Sequence, residues 1–452
     1  MRSGLVFGLV LALGGCVPVP DAQVARNAVV AESTLPPAKS FGTGPVSRPE
    51  RANAEMVEDF LDLAFRLEGG TELAAFTRFE GPISVRVTGA PPPSLQPDLA
   101  RLLSRLRSEA GLSITQVSGA GAHVTIEAVP RREIRRLLPK AACFVAPNVG
   151  SLAEYARHRR KDRTDWTQLR ERRQLAIFLP NDASPQETRD CLHEELAQAI
   201  GPLNDLYRLP DSVFNDDNVH TVLTGFDMLM LRAYYAPELR TGMTRAEVAR
   251  VLPGVLARLN PGGETAGRPG LSRTPLVWNR AIETALGRGE TQIARLRGAD
   301  EAIRIATAAG WGDHRLAFAH YAKGRLLQAQ DPAAAHAHYR VADRYYAQSR
   351  LTRLHRAYIA TQLGAFAIRQ GNADAALRLI GPHLESARAS ENAALLSTLL
   401  LLQAEALELE NRFEEARAVR LDSLGWARYG FGPDWAVRAK LREIASLNPL
   451  KG

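Results

Sequence analysis

Cysteine is nearly absent from this 452-residue chain: there are three, at positions 16, 143 and 191. That excludes a disulfide-dense scaffold and the paired C-x-x-C clusters of zinc ribbons. Lysine is almost as scarce, with six residues, so arginine carries the net charge of +8. The arginines are scattered among acids. Their one dense cluster, Arg157 to Arg163, has no aromatic platform beside it, so a solvated helix face is expected there and no nucleic-acid partner. The chain also lacks a phosphate loop, a G-x-S-x-G elbow and a catalytic Cys/His pairing, which removes the common nucleotide and hydrolase classes. Beyond the first fifteen residues, no stretch reaches the roughly 20 apolar residues of a spanning helix.

The first residues supply Arg2, an apolar run from Leu5 to Leu13, and then Leu13-Gly14-Gly15-Cys16. A short positive start and an apolar core of this length mark a cleaved targeting segment, 1–15. The small residues before the cysteine resemble the lipobox of bacterial lipoproteins. That resemblance implies lipidation at Cys16, a membrane partner through the anchor, and a place in the cell envelope. Val17 in the following position implies the outer membrane, facing the periplasm. In such an oxidising compartment the remaining two cysteines are a natural pair, so a Cys143–Cys191 disulfide is expected.

Residues 16–48 are rich in Pro, Ala, Ser and Gly without an apolar period, as in a flexible tether. A second break at 257–275, centred on Asn260-Pro261-Gly262-Gly263, separates a body at 49–256 from a tail at 276–452. The first body alternates. A helical pattern at 51–67 and an amphipathic stretch from Leu99 to Leu106 intersperse strand-like runs at 83–87, 112–117, 123–129, 142–146 and 175–179. Ser184-Pro185-Gln186-Glu187 then opens a well-marked helix: a capping Ser, a Pro at the first helical position and a Glu at the third. Gly201 closes it. In the tail, Gly324, Gly364 and Ala404 recur every 40 residues, each seven residues before a turn, with Ala335, Ala376 and Ala416 in the helices that follow. This period is the mark of stacked helix pairs. It resembles tetratricopeptide-type repeats over roughly 315–425, with a half-repeat at 292–308.

The chemistry-bearing stretch is Glu194-Glu195, Gln198, Gly201, Asn204 and Asp205. Its spacing resembles the metzincin helix H-E-x-x-H-x-x-G-x-x-H. Glu195 holds the place of the catalytic Glu, and Glu194, Gln198 and Asn204 hold the three ligand places. Ser212-Val213-Phe214 falls where the Met-turn would lie, and the segment from Leu223 to Tyr235, with Asp227, resembles the closing helix. The region 49–245 as a whole resembles an uncharacterised family of bacterial lipoproteins, a domain of unknown function with an E-E-x-x-Q-A-x-G-x-x-N-D core. Two neutral amides and one carboxylate are poor zinc ligands and suit a harder divalent ion better.

The sequence therefore predicts an α+β metzincin-like domain followed by an all-α, tetratricopeptide-like repeat domain. No cofactor is expected, although a divalent metal on Glu194, Gln198 and Asn204 is compatible with the motif. Glu195, Gln198, Asn204, Asp205 and Asp227 are expected in structural polar networks. The function expected is a non-catalytic protease-like binding domain whose repeat tail recruits a protein or peptide. Two alternatives stay open: an atypical metal-dependent peptidase with Glu195 as general base, and a purely structural envelope protein.

Overall fold

The computed structural model of the protein describes residues 35–42, 48–265, 270–287 and 289–451. The expected signal segment and the lipidated Cys16 lie outside the described residues. No described helix is long and apolar enough to cross a membrane.

The first body is a five-stranded mixed sheet with helices on both faces. Its order along the chain is α1 (Asn53–Phe65), β1 (Ile83–Gly89), α2 (Leu95–Ser108), β2 (Ile114–Gln116), β3 (Val124–Val129), α3 (Arg131–Leu137), β4 (Phe144–Pro147), α4 (Leu152–His158), β5 (Leu175–Pro180), α5 (Pro185–Ile200), α6 (Gly225–Tyr234) and α7 (Arg245–Leu259). The strand order is β2-β1-β3-β5-β4, with β4 alone antiparallel, at the edge. The register sets Val124 beside Leu175 and Ile126 beside Ile177. Because side chains alternate across a strand, β5 divides between two cores. Leu175, Ile177 and Leu179 face the large core under α1, α2, α5, α6 and α7, while Ala176 and Phe178 face a smaller one with Ile134 of α3 and Leu152 of α4. Burial on both faces explains why β5 is apolar throughout rather than alternating.

The second region is helical: α8 (Leu276–Leu286), α9 (Gln292–Ala308), α10 (His314–Leu327), α11 (Pro332–Tyr346), α12 (Arg353–Arg369), α13 (Ala373–Ile380), α14 (Leu384–Ala389), α15 (Ala393–Leu409), α16 (Phe413–Phe431) and α17 (Asp434–Ala445). The 40-residue period marks where helices cross. A Cβ on Gly324 would lie 2.7 Å from the Tyr339 ring, and one on Gly364 would lie 2.8 Å from Ile380 Cγ1. Only glycine admits that approach of α10 to α11 and of α12 to α13. The expected half-repeat at 292–308 is the second helix of a complete pair, α8–α9, joined by the buried Trp278, whose Nε1 donates to the Ala302 carbonyl at 3.1 Å.

Two connections differ from expectation. The flexible tether expected over 16–48 does not extend through 35–42. Phe41 is buried and stacks on Trp426 with centroids 4.5 Å apart, Arg101 donates to the Phe41 carbonyl, and Lys39 pairs with Asp422. An aromatic anchor in a proline-rich run, with these polar contacts, docks it. The described parts of the linker expected at 257–275 are docked as well, since Asn53 Nδ2 donates to the Asn260 carbonyl at 3.0 Å and Arg273 pairs with Asp62 at 2.7 Å.

Candidate functional site

Helix α5 carries the residues in question, and its position is fixed at both ends. At the start, Ser184 Oγ accepts from the Glu187 N–H at 3.2 Å, and the Glu187 carboxylate binds Arg131 at 2.6 and 2.8 Å. At the end, the fully buried guanidinium of Arg172 donates to the carbonyls of Gln198 and Ala199 at 2.8 Å and to that of Gly201 at 2.5 Å. The Tyr235 hydroxyl donates to the Ile200 carbonyl at 2.7 Å. A cation at the carbonyl end also complements the helix dipole. In the middle, a Cys143–Cys191 disulfide joins α5 to the chain entering β4. The predicted pairing is therefore present.

The side chains of the motif point in several directions. His193 is buried, and its Nδ1 accepts from the Leu223 N–H at 3.1 Å. Burial, then the neighbouring Arg189, Arg105 and Arg101, hold its pKa well below the ordinary value, so it is a neutral core histidine. Gln198 Nε2 donates to Asp205 Oδ2 at 3.2 Å. Asn204 Nδ2 donates to the Asp62 carbonyl at 3.0 Å. The three expected ligand positions thus do not converge, because Asn204 is turned toward α1. Among the described residues, no three His, Cys, Asp or Glu side chains are gathered closely enough to hold a metal ion. The residues present do not fit a metzincin-type metal, and no reaction step is derived through one.

Glu195 is buried, and its carboxyl is pushed well above the usual range by burial and then by Glu194 and Glu68, with the Val145 N–H of β4 pulling the other way. Glu194, half-buried, is raised to about 8 by burial, Asp216, Glu68 and Asp190. Asp205 is raised well above normal by burial, then Asp216, Glu194 and Glu68. Asp216 is exposed to water on one side but crowded by protein on the other. It rises to about 7 through that desolvation, then Glu68, Glu283 and Asp217. These carboxyls raise one another, and Glu283 of α8 adds to the effect on Asp216. Sequence reading found Glu194, Glu195 and Asp205. It missed Glu68 and Glu283, which come from two other segments and offered no spacing to detect.

Asp227 belongs to a separate network. Its carboxylate accepts from Ser212 Oγ at 2.5 Å, the Val213 N–H at 3.2 Å and the Thr224 N–H at 2.7 Å, closing a capping box on α6. Burial outweighs these bonds and raises it to about 6. A third network, unforeseen, ties α1 to later segments: Arg208 binds Asp59 at 2.7 Å and Asp62 at 2.9 Å, and Arg51 binds Asp59 at 2.6 Å and Asp211 at 3.2 Å.

The helical region packs over α5 and the loop beyond it. Gln186 Nε2 donates to Asn392 Oδ1 at 3.1 Å, and Gln186 Oε1 accepts from the Ala394 N–H at 2.8 Å. His314 Nε2 lies 2.6 Å from the Tyr207 carbonyl, and His355 Nε2 lies 2.8 Å from Asp217 Oδ2. The Tyr207 ring meets Trp278 edge-on at 5.0 Å.

The fold and site together define a mixed α/β domain, with buried, mutually raised carboxyls beside its last sheet-following helix, locked to an all-helical region. Residues 53–254 match a family described as "Protein of unknown function (DUF2927)". No curated protein and no solved structure matches the chain.

Proposed function

We propose that this protein is a lipid-anchored component of the bacterial cell envelope, held at the outer membrane facing the periplasm, in which a metzincin-like scaffold serves binding rather than cleavage and a tetratricopeptide-like region recruits a protein partner. The observation that carries this reading is the use of Asn204 and Gln198 as internal donors, to the Asp62 carbonyl and to Asp205. These bonds occupy the places where a peptidase would present ligands. The helical region packed over the loop at 204–221 favours the same reading. The metzincin likeness is supported by a helix that follows the last strand, carries Glu195 and stops at Gly201, and by the closing helix with Asp227. The disulfide favours an oxidising compartment. For partner recruitment, a small, mostly apolar groove lies between α11, α12, α15 and α17, where His336 stacks on Phe366 at 4.1 Å.

One observation favours the peptidase alternative. Glu195 is buried beside like charges with a raised pKa, as a general base needs to be. Elemental analysis by mass spectrometry separates the two readings, using a soluble form starting near Asp21, purified without chelator, beside the Glu194→Ala, Gln198→Ala double variant. The expected result is metal far below stoichiometric in both. A near-stoichiometric metal that the double variant loses would replace this proposal with the peptidase. Palmitate incorporation that disappears in Cys16→Ser tests the anchor.

A further inference from the structure

Among the described residues, the last helix leaves one face open. Trp435, Arg438 and Arg442 of α17 are spaced by three and four positions, so they share one side of the helix. All three are exposed, Trp435 by 51 %. The opposite side, with Val437, Lys440 and Ile444, is buried. Both acids of the helix are already engaged: Asp434 pairs with Arg428 at 3.8 Å and Glu443 with Lys440 at 2.8 Å. A large amphipathic ring beside two exposed guanidiniums is thus left facing water.

The second observation is where the chain leads from this face. The Lys39 N–H donates to the Gly425 carbonyl of α16 at 3.0 Å, and Arg428 Nη1 donates to the Pro36 carbonyl at 3.0 Å. The same Arg428 reaches Asp434, the residue before Trp435. Followed back toward Cys16, the chain therefore leaves the described structure at Leu35, beside the first turn of α17. Leu35 follows Cys16 by 19 positions, a length that reaches at most about 65 Å. An anchor at Cys16 holds the molecule by the end that bears the exposed tryptophan. Tryptophan suits the headgroup level of a bilayer, where its apolar ring and its N–H are both accommodated, and basic side chains beside it attract anionic headgroups. We infer that the Trp435, Arg438 and Arg442 face of α17 rests on the membrane that holds the anchor, with anionic phospholipid headgroups as its partner. The inference rests on the lipid-anchor reading for the choice of membrane, while the contact itself needs no acyl chain.

The experiment is sedimentation of the soluble form starting near Asp21, which holds every described residue, with vesicles of mixed phosphatidylglycerol and phosphatidylcholine at physiological salt. Vesicles of phosphatidylcholine alone should bind it at least about tenfold more weakly. Arg438→Gln with Arg442→Gln should weaken binding to the anionic vesicles by about tenfold or more, as the loss of two basic side chains at a charged surface implies. Arg157→Gln with Arg160→Gln removes the same net charge from the dense arginine cluster and should bind as the parent does. Bromine-labelled acyl chains should quench a part of the fluorescence that disappears in Trp435→Phe. All these side chains are exposed, so the variants keep the fold. Absence of binding at millimolar lipid, equal weakening by the two arginine pairs, or an unquenched Trp435 each overturns the inference. Because the soluble form carries no lipid, the anchor is judged separately: palmitate on Cys16 without vesicle binding removes only the contact, and vesicle binding without palmitate removes only the anchor.

Discussion

At the scale of single residues, Arg172 does what the sequence left unassigned. A charged group is seldom fully buried without an ion partner, because desolvation disfavours it. Burial does lower the Arg172 pKa. What compensates is the end of α5, where three carbonyls have no intrahelical N–H to bind, and Arg172 supplies donors to those of Gln198, Ala199 and Gly201. Replacement by Leu keeps the apolar stem and orphans the carbonyls. With an unmet buried acceptor costing about 1–3 kcal/mol, Arg172→Leu should lose about 3 kcal/mol in urea unfolding followed by tryptophan fluorescence. A loss below about 1 kcal/mol would mean that water caps the helix. Nothing in the local sequence marks this residue, since Arg172 sits among Arg170 and Arg173 in an otherwise solvated stretch. Only tertiary contact separates it from its neighbours.

At the scale of elements, legibility followed the range of the signal. The helix α5 could be read from Ser184, Pro185, Glu187 and Gly201 because capping is chemistry between residues three or four apart. Strand β5 could be read as a short apolar run. Helix α3, seven residues long, was missed, being too short for a 3.6-residue period to show, and the helix face expected over Arg157 to Arg163 is helical only at its start, because α4 ends at His158. The docking of Phe41 on Trp426 and of Arg273 on Asp62 joins residues hundreds of positions apart, and composition alone suggested loops. The disulfide was legible by count and compartment rather than by geometry, and it ties α5 to the chain entering the edge strand β4. Its 48-residue separation gives about 4 kcal/mol of stabilisation in the loop-entropy model. Denaturant unfolding of Cys143→Ser, Cys191→Ser should show a loss of about 2–4 kcal/mol with β5 intact. If the double variant were as stable as the parent, the caps at Ser184 and Arg172 alone would hold α5.

At the scale of the molecule, the two regions meet through buried histidines, and this gives their union a pH dependence. His314 is buried against the Tyr207 carbonyl, near Asp313, Arg315 and His355. Burial, partly opposed by Asp313, lowers its pKa from 6.5 to about 4. The sign follows from proton counts: between pH 6.5 and about 4 the unfolded chain holds the proton and the folded one does not, so stability falls as pH falls. A shift of that size corresponds to about 3 kcal/mol, lost progressively below pH 6.5. His220, also lowered by burial and then by His355, adds in the same direction. The raised carboxyls Glu194 and Asp216 act oppositely. Glu194 at about 8 and Asp216 at about 7 hold protons in the fold that the unfolded chain releases near pH 4, so they withdraw stability as pH rises to neutrality. His314→Gln keeps a donor for the Tyr207 carbonyl but cannot titrate. Its melting temperature should therefore fall less than that of the parent between pH 6.5 and 4.5, while the two respond alike above pH 7. Parallel curves across the acid range would mean that His314 stays hydrated and that the junction is insensitive to its charge. A shallower curve would place the acid weakness of the fold at the junction of the two regions.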